Sequence, residues 1–541
     1  MTAITVALAQ VNPLVGDIPG NTRLTVDMFA AARKTGARLV LLPELMLTGY
    51  PPEDLLLRSS LDGRIDAALV EVAAASHGII AVVGYPRRRG GQLYNMAGVF
   101  SDGQLVAEYA KQLLPNYQVF DEKRYFGRGN EPCVIDVDGV PVAVAICEDI
   151  WKPGPMAAAR EAGARLLLAI NASPFHLGKQ QEREATVSQR AREGDMPVVY
   201  LNQAGGQDEL VFDGGSMLVD ADGEVRWRAP LFEEGLYCCQ LRLDGNVVSA
   251  VPGELAPVLE LLPSVYRALV IGVRDYVNKN GFRGVVLGLS GGIDSALTLA
   301  VAVDALGADR VEAVMMPFRY TSQLSRDDAA EQAQRMGVRY LSLGIEPMYE
   351  AFMSTLADEF AGMPVDLTEQ NIQARVRGIL LMAISNKKGL MVLTTGNKSE
   401  VAVGYSTLYG DMAGGFDVLK DVPKTLVFEL SRYRNTLSPV IPESVLSRPP
   451  SAELAPDQKD EDNLPPYAVL DRILELYIEE DWSAEAIVAE GFEREDVYRV
   501  IRLVDINEHK RRQAPIGVRV TRRGFGRDRR YPVTNGWQAG D

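Results

Sequence analysis

Histidine and cysteine are scarce in this chain. Three histidines among 541 residues leave too few imidazoles for a histidine-built metal centre. The four cysteines, Cys133, Cys147, Cys238 and Cys239, show no CxxC spacing, so neither a disulfide framework nor a zinc knuckle is indicated. No apolar run reaches the length of about 18 residues that marks a membrane span. A secretory leader is also missing, since the chain opens on "ITVALAQV", which reads as a strand. Positive charge is in deficit: 56 Lys and Arg stand against 72 Asp and Glu, a net charge of −16. That balance argues against broad contact with nucleic acid or an anionic membrane. What remains is an ordinary soluble composition, 47% hydrophobic and 24% charged, and a cytoplasmic protein is expected. The length exceeds what one hydrophobic core serves, so at least two domains are expected.

Short apolar runs alternate with helical patterns through the first half. "ITVALAQ", "RLVLLP", "IIAVVGYP", "VPVAVAI", "RLLLAINA" and "PVVYLNQ" read as strands. Ala-rich segments such as "MAAAREAGA" lie between them and end at glycine. That alternation predicts an α/β fold. Residues 243–264, "LDGNVVSAVPGELAPVLELLP", carry Gly and Pro without alternation, and the domain boundary is placed there, giving 1–250 and 251–541. A second α/β run follows, with strands "GVVLGLS", "VEAVMMP", "RYLSLGI" and "LMVLTTGN". It predicts a doubly wound parallel sheet with ligands at the C-terminal strand ends. Residues 441–466 break the rhythm with Pro and charge. They read as either a passive loop or a lid. Nine Lys/Arg against one acid between 510 and 530 read as a solvated face, an intersubunit contact or a phosphate clamp.

The second half begins with "LGLSGGIDSA". An apolar strand enters a Ser-Gly-Gly turn, and a helical pattern follows. Consecutive N–H groups in such a turn, with the positive end of a helix behind them, form an anion nest. The lysine of a Walker A loop is absent and Asp294 stands in the loop instead. An acid there repels phosphate unless it holds a cation, and Mg²⁺ resolves the conflict. A bare Ser-Gly-Gly is more simply a tight turn with a capping Asp or Ser.

The full string SGGIDS resembles the signature of the PP-loop ATP pyrophosphatases. "NIQARVRG" (371–378), "TTGNKSEVAVGYSTLYGD" (394–411), "GGFDVLKDVPKT" (414–425) and "RPPSAEL" (448–454) are similar to the NAD synthetases of that superfamily. The resemblance implies ATP as cosubstrate, bound by Ser290, Gly291, Gly292, Asp294, Ser295, Thr395, Lys424 and Ser451. It implies deamido-NAD bound by Arg375, Glu400, Asp411, Asp417 and Lys510, and Mg²⁺ held by Asp294 and Glu400. His509, Lys510 and Arg511 resemble the family's basic C-terminal motif, which closes on phosphates. The implied chemistry is amide formation on a nicotinate carboxylate through an acyl-adenylate.

In the first half, "LLPELMLTGYPPEDLL" puts Glu44 just after a strand, and "VAVAICEDIWKPG" does the same for Cys147. "YAKQLLPNYQVFDEKRYFGRG" holds Lys111 and Glu122. A carboxylate to take a thiol proton, an ammonium to stabilise the thiolate and oxyanion, and a cysteine nucleophile suffice to hydrolyse an amide through a thioester. An arbitrary cysteine is more often a small buried residue. This arrangement resembles the nitrilase superfamily, with Glu44, Lys111 and Cys147 as its triad and Glu122 as an auxiliary. "GYPPEDLL", "LPNYQVFDEKRYF" and "NASPFHLGK" resemble the glutaminase domain of glutamine-dependent NAD synthetases. That resemblance implies Tyr117, Glu148 and Ser173 around the amino-acid end of glutamine, with Tyr50 shaping the pocket. It implies a nitrilase-like α-β-β-α sandwich followed by a PP-loop domain, an internal route for ammonia and a homo-oligomer. The substrates would be small molecules, with no nucleic acid and no membrane. Three rival readings are an amidotransferase for another carboxylate, a plain amidase with a nucleotide-binding half, and a nucleotide sensor with vestigial sites.

Overall fold

Residues 2–245, 247–451, 453–455 and 464–537 are described by a computed structural model. The chain divides into two compact units, Met1–Leu259 and Glu260–Asp541.

The first unit is built on strands β1 (Thr2–Gln10), β2 (Leu39–Leu41), β3 (Ile80–Arg89), β4 (Gln92–Ser101), β5 (Gln104–Ala110), β6 (Cys133–Val137), β7 (Val140–Ile146), β8 (Leu166–Asn171), β9 (Val198–Asn202), β10 (Ala204–Gln207), β11 (Leu210–Asp213), β12 (Met217–Val219), β13 (Val225–Arg228), β14 (Gly235–Asp244) and β15 (Val247–Ala250). One sheet runs β15-β14-β1-β2-β3-β4-β5 and the other β13-β12-β9-β8-β7-β6, with β10-β11 as a separate hairpin. The inner faces of the two large sheets meet in one core, where Val6, Leu8, Leu41 and Val82 pack with Val142, Val144, Leu168 and Val199. The outer face of the first sheet is covered by α1 (Ile18–Lys34) and α2 (Leu61–Ala75), and that of the second by α3 (Pro153–Glu161) and α4 (Lys179–Gly194). This is an α-β-β-α sandwich. β7 and β8 are apolar on both faces because helices cover one side and a second sheet the other. β14 is half-buried, and its residues alternate accordingly.

The second unit holds a five-stranded, all-parallel sheet: β16 (Val285–Gly288), β17 (Val311–Met315), β18 (Arg339–Ser342), β19 (Met391–Thr394) and β20 (Phe416–Asp417), ordered β18-β17-β16-β19-β20. The strand order reverses between β16 and β19. Such a switch point leaves a crevice beyond the strand ends. Helix α5 (Leu261–Lys279) precedes the sheet, α6 (Ile293–Leu306), α7 (Gln323–Met336), α8 (Glu346–Thr355), α9 (Leu367–Lys388) and α10 (Lys398–Val403) connect its strands, and α11 (Lys424–Leu437) follows it. α9 starts at a capping box, in which Asp366 accepts from Thr368 N and Glu369 accepts from Asp366 N. Among the described residues no helix is long and apolar enough to cross a membrane.

Candidate active sites

In the first unit the groups converge at the ends of strands from both sheets. Glu44 follows β2, Lys111 follows β5, Cys147 follows β7 and Ser173 follows β8. The turn after β2 lies so close to β3 that a Cβ on Gly84 would stand 2.4 Å from Leu45 N. Cys147 begins a one-turn 3₁₀ helix, Cys147–Ile150, and has φ of +43°. A non-glycine residue rarely holds that backbone, so the turn must be braced from outside.

Lys111 is the hub. Its Nζ donates to Glu44 Oε1 at 2.7 Å and to Glu122 Oε1 at 2.8 Å, and none of the three side chains is more than 6% exposed. Burial alone drives the Lys111 ammonium toward the neutral amine, but the charges of Glu122 and Glu44 more than offset it, and its pKa lies well above the usual lysine value. Glu44 also accepts from Asn95 Nδ2 at 2.8 Å and from Ala172 N at 3.2 Å. Tyr50 hydroxyl donates to Glu122 at 3.0 Å, so its contact is with the lysine's supporting acid. Burial raises the Glu122 pKa, with Glu44 adding to it and Lys111 opposing. Burial likewise pushes the Cys147 thiol well up, helped by Glu44 and opposed by Lys111. At rest Cys147 is therefore a thiol, and to act as a nucleophile it would first have to give up its proton.

Tyr117, half-exposed, donates its hydroxyl to Glu148 Oε2 at 2.8 Å. Ser173 is buried, its N–H bonded to Asn202 Oδ1 at 2.9 Å. Three residues here were not singled out from the sequence. Arg183, fully buried, donates to Ser173 Oγ at 3.2 Å and Ser173 O at 2.8 Å and pairs with Asp213 at 2.7 Å. Lys179 lies over the Trp151 ring at 3.8 Å, and burial lowers its pKa. It closes the string NASPFHLGK, so the signal was on the page. Asn95 sits inside β4 with only an apolar run around it, and nothing local marks it.

In the second unit a cavity of about 710 Å³ opens beside the strand ends. Ser290, Gly292, Asp294, Ser295, Thr395, Glu400, Asp411, Asp417, Lys424, Ser451 and Lys510 all line it. The turn after β16 is fixed internally, with Ser290 N and Ser290 Oγ 3.2 and 3.1 Å from Ser295 Oγ. Gly291 has φ of +84°, and a Cβ there would meet Ser325 O at 2.3 Å, so only glycine fits. Arg448 Nη2 donates to Gly291 O at 2.6 Å and Nη1 to Ser325 Oγ at 3.0 Å, which pins the segment after residue 441 onto this turn. Pro450, Ser451, Leu454 and Leu464 from that segment line the cavity; its residues 452 and 456–463 lie outside the described residues.

Asp294, in the first turn of α6, and Glu400, in the first turn of α10, converge on one cation: Lys424 Nζ lies 2.5 Å from Asp294 Oδ2 and 3.2 Å from Glu400 Oε1. Asn397 Nδ2 donates to Asp294 Oδ1 at 2.8 Å. Burial raises Asp411 to about 6 and Asp417 to about 7. Asp417 and Thr394 are both buried, and a hydrogen bond from Thr394 partly opposes the rise at Asp417.

Four residues that the resemblance implied are absent from the cavity lining: Gly291, held in the turn as described, and Arg375, His509 and Arg511. Arg375 is exposed and donates to Leu408 O at 3.2 Å. His509 is exposed, and Arg511 is buried against Glu508 and Ala402 O. The basic tail spends much of its charge internally. Arg519 pairs with Asp528 at 2.7 Å, and Arg529 stacks on Tyr531 at 3.5 Å. Asn371 lines the cavity and was not singled out.

The carbon-nitrogen hydrolase family model matches residues 5–246 and the NAD synthase model matches residues 265–514. The chain is 51% identical to the glutamine-dependent NAD(+) synthetase of Acinetobacter baylyi, over the whole of both chains. It is 50% identical to that of Xylella fastidiosa, over 98% of this chain and 99% of the relative. A solved structure of the Acinetobacter baumannii glutamine-dependent NAD+ synthetase in complex with ADP matches all of both chains at 50% identity, with a TM-score of 0.81.

Proposed function

The chain belongs to the glutamine-dependent NAD(+) synthetases, ligases that form a carbon–nitrogen bond with glutamine as amido donor, and on that premise we propose how its two halves divide the work. Residues 1–250 release ammonia from glutamine. Residues 251–541 use it, with ATP, to convert deamido-NAD to NAD, yielding AMP, diphosphate and glutamate.

In the first half Glu44 takes the Cys147 proton and Sγ attacks the amide carbon. Lys111, held charged by two carboxylates, stabilises the oxyanion. Glu44 returns the proton to the departing nitrogen, leaving a thioester and ammonia. The same carboxylate then activates water, which releases glutamate and restores the thiol. Glu122 and Tyr50 keep Lys111 in place. Glu148, paired with Tyr117, suits the ammonium end of glutamine, and Lys179 suits its carboxylate. Ser173 orients the chain between them. The observation that carries this half is the buried Lys111 bridging Glu44 and Glu122 beside the Cys147 turn.

In the second half the turn after β16 suits the diphosphate of ATP, and the relative solved in complex with ADP supports an adenine nucleotide as ligand of the chain. Asp294 and Glu400 suit Mg²⁺. Both already reach one ammonium, and Mg²⁺ takes one or two carboxylates together with substrate phosphates and water. No group of three or more His, Cys, Asp or Glu fit for a metal occurs among the described residues, which is consistent with a phosphate-borne ion. Bound Mg²⁺ would offset charge on the leaving diphosphate. Lys424 adds a second cation on the same phosphates, and Ser451 closes over them. Asp411, Asp417 and Lys510 bind the dinucleotide. The nicotinate carboxylate attacks the α-phosphorus, diphosphate leaves, and ammonia displaces AMP from the acyl-adenylate. The acid in the loop thus has a purpose: the bond broken lies between the α and β phosphates, and the loop cradles a leaving group. Ammonia passes internally from the first site to the second, the setting is cytoplasmic, and the protein works as a homo-oligomer.

Cys147→Ala tests the division. It is expected to abolish glutamine-driven NAD synthesis and to leave ammonia-driven synthesis intact. Loss of both activities in a folded variant would refute it.

A further inference from the structure

The two parts of the glutamine site come from different sheets. Lys111 follows β5 of the first sheet and Cys147 follows β7 of the second. One buried carboxylate ties them together. Asp149, 1% exposed, lies two residues past the nucleophile. Its Oδ1 accepts from Gln112 N at 3.1 Å and Leu113 N at 2.8 Å, the two residues immediately after Lys111. Its Oδ2 accepts from the Tyr109 hydroxyl at 2.8 Å, two residues before Lys111, and from Ile146 N at 3.2 Å, immediately before Cys147. Four donors match the acceptor capacity of a carboxylate, so no site is left over for substrate. The same residue braces the Cys147 turn, whose positive φ needs an outside constraint.

We propose that Asp149 is the positioning residue of the glutamine site, fixing the nucleophile of one sheet against the oxyanion lysine of the other. The proposal rests on the roles assigned above to Cys147 and Lys111. Asp149 touches neither glutamine nor the reacting atoms. It acts by holding Sγ and Nζ at one separation through changes of state that differ in charge and hydrogen bonding.

Asp149→Asn keeps the size and exchanges one acceptor oxygen for a donor. Facing the Oδ2 pair, the new amide opposes Ile146 N–H; facing the Oδ1 pair, it opposes two N–H groups. Either orientation loosens the register of the two sheets. The kcat of glutamine hydrolysis is expected to fall about 100-fold, the scale of a misplaced catalytic group. The glutamine KM is expected to change by less than about 3-fold, because the residues that bind the amino acid are untouched. Alkylation of Cys147 by iodoacetamide should slow as well, whereas ammonia-driven NAD synthesis should hold at the wild-type rate. An unchanged kcat overturns the proposal, and so does a rise in KM with kcat intact. Tyr109→Phe removes one donor and no charge, and serves if Asp149→Asn does not fold. It is expected to lower kcat about 10-fold, the low end of the worth of one hydrogen bond to a charged group, at constant KM; an unchanged kcat there overturns the proposal. Cys147→Ala run alongside separates the two failures. If that variant keeps glutamine-driven synthesis, the nucleophile assignment has failed, whatever Asp149 does.

Discussion

At the scale of single residues, both sites depend on burying charge with company. Lys111 stays an ammonium inside the protein because Glu44 and Glu122 flank it. Removing one partner of such a group leaves an unpaired charge, which costs far more than the pair gains. Asp417 is the opposite case: it is buried, and neither Lys420 nor a hydrogen bond from Thr394 offsets the cost of its charge. Burial pushes its carboxyl from an ordinary 3.8 up to about 7. The sign follows from linkage. Folding binds the proton more tightly than the unfolded chain does, so this group favours folding least where it must ionise. Its cost is absent below about pH 3.8, grows as the pH rises, and is complete above about 7. Asp417→Asn removes that cost. The thermal transition of the second unit is expected to rise by about 5 °C at pH 8 and by about half as much at pH 5.5. Scanning calorimetry of the ligand-free protein checks this, and an equal shift at both pH values would contradict it.

At the scale of elements, the strand–turn–helix from β16 to α6 was legible because each signal was local. The apolar run, the glycines and the helical spacing lie within one short stretch. The strand-end placement of Glu44 and Cys147 was legible for the same reason. The roles of Asn95, Arg183 and Asp149 were not, because each depends on a partner far along the chain; Arg183, for example, meets Asp213. The charge of the tail from 510 to 530 left three readings open, because charge alone does not say where each side chain goes. Run-length counting cannot see that Arg519 pairs with Asp528 and Arg529 with Asp505. Arg448 attaches the segment from 441 to 451 to the turn after β16, where the proposal places the diphosphate. Arg448→Ala is expected to raise the ATP KM about 10-fold, the loss of a charged hydrogen bond to Gly291 O, while basal glutamine hydrolysis is unchanged. Initial-rate kinetics in both substrates check it.

At the scale of the whole molecule, the architecture separates two chemistries with incompatible needs. On the mechanism proposed above, amide hydrolysis needs water at a thioester, whereas an acyl-adenylate must be kept from water until ammonia arrives. Two units with separate cores meet both needs. Asp294→Asn is expected to block AMP release while basal glutamine hydrolysis persists, because Asp294 belongs only to the second unit. The most direct measurement is mass spectrometry of the products made by the purified protein from deamido-NAD, ATP, Mg²⁺ and glutamine. NAD, AMP, diphosphate and glutamate are expected together, with NAD and AMP in equal amounts. Glutamate without NAD would contradict the assignment of the second half.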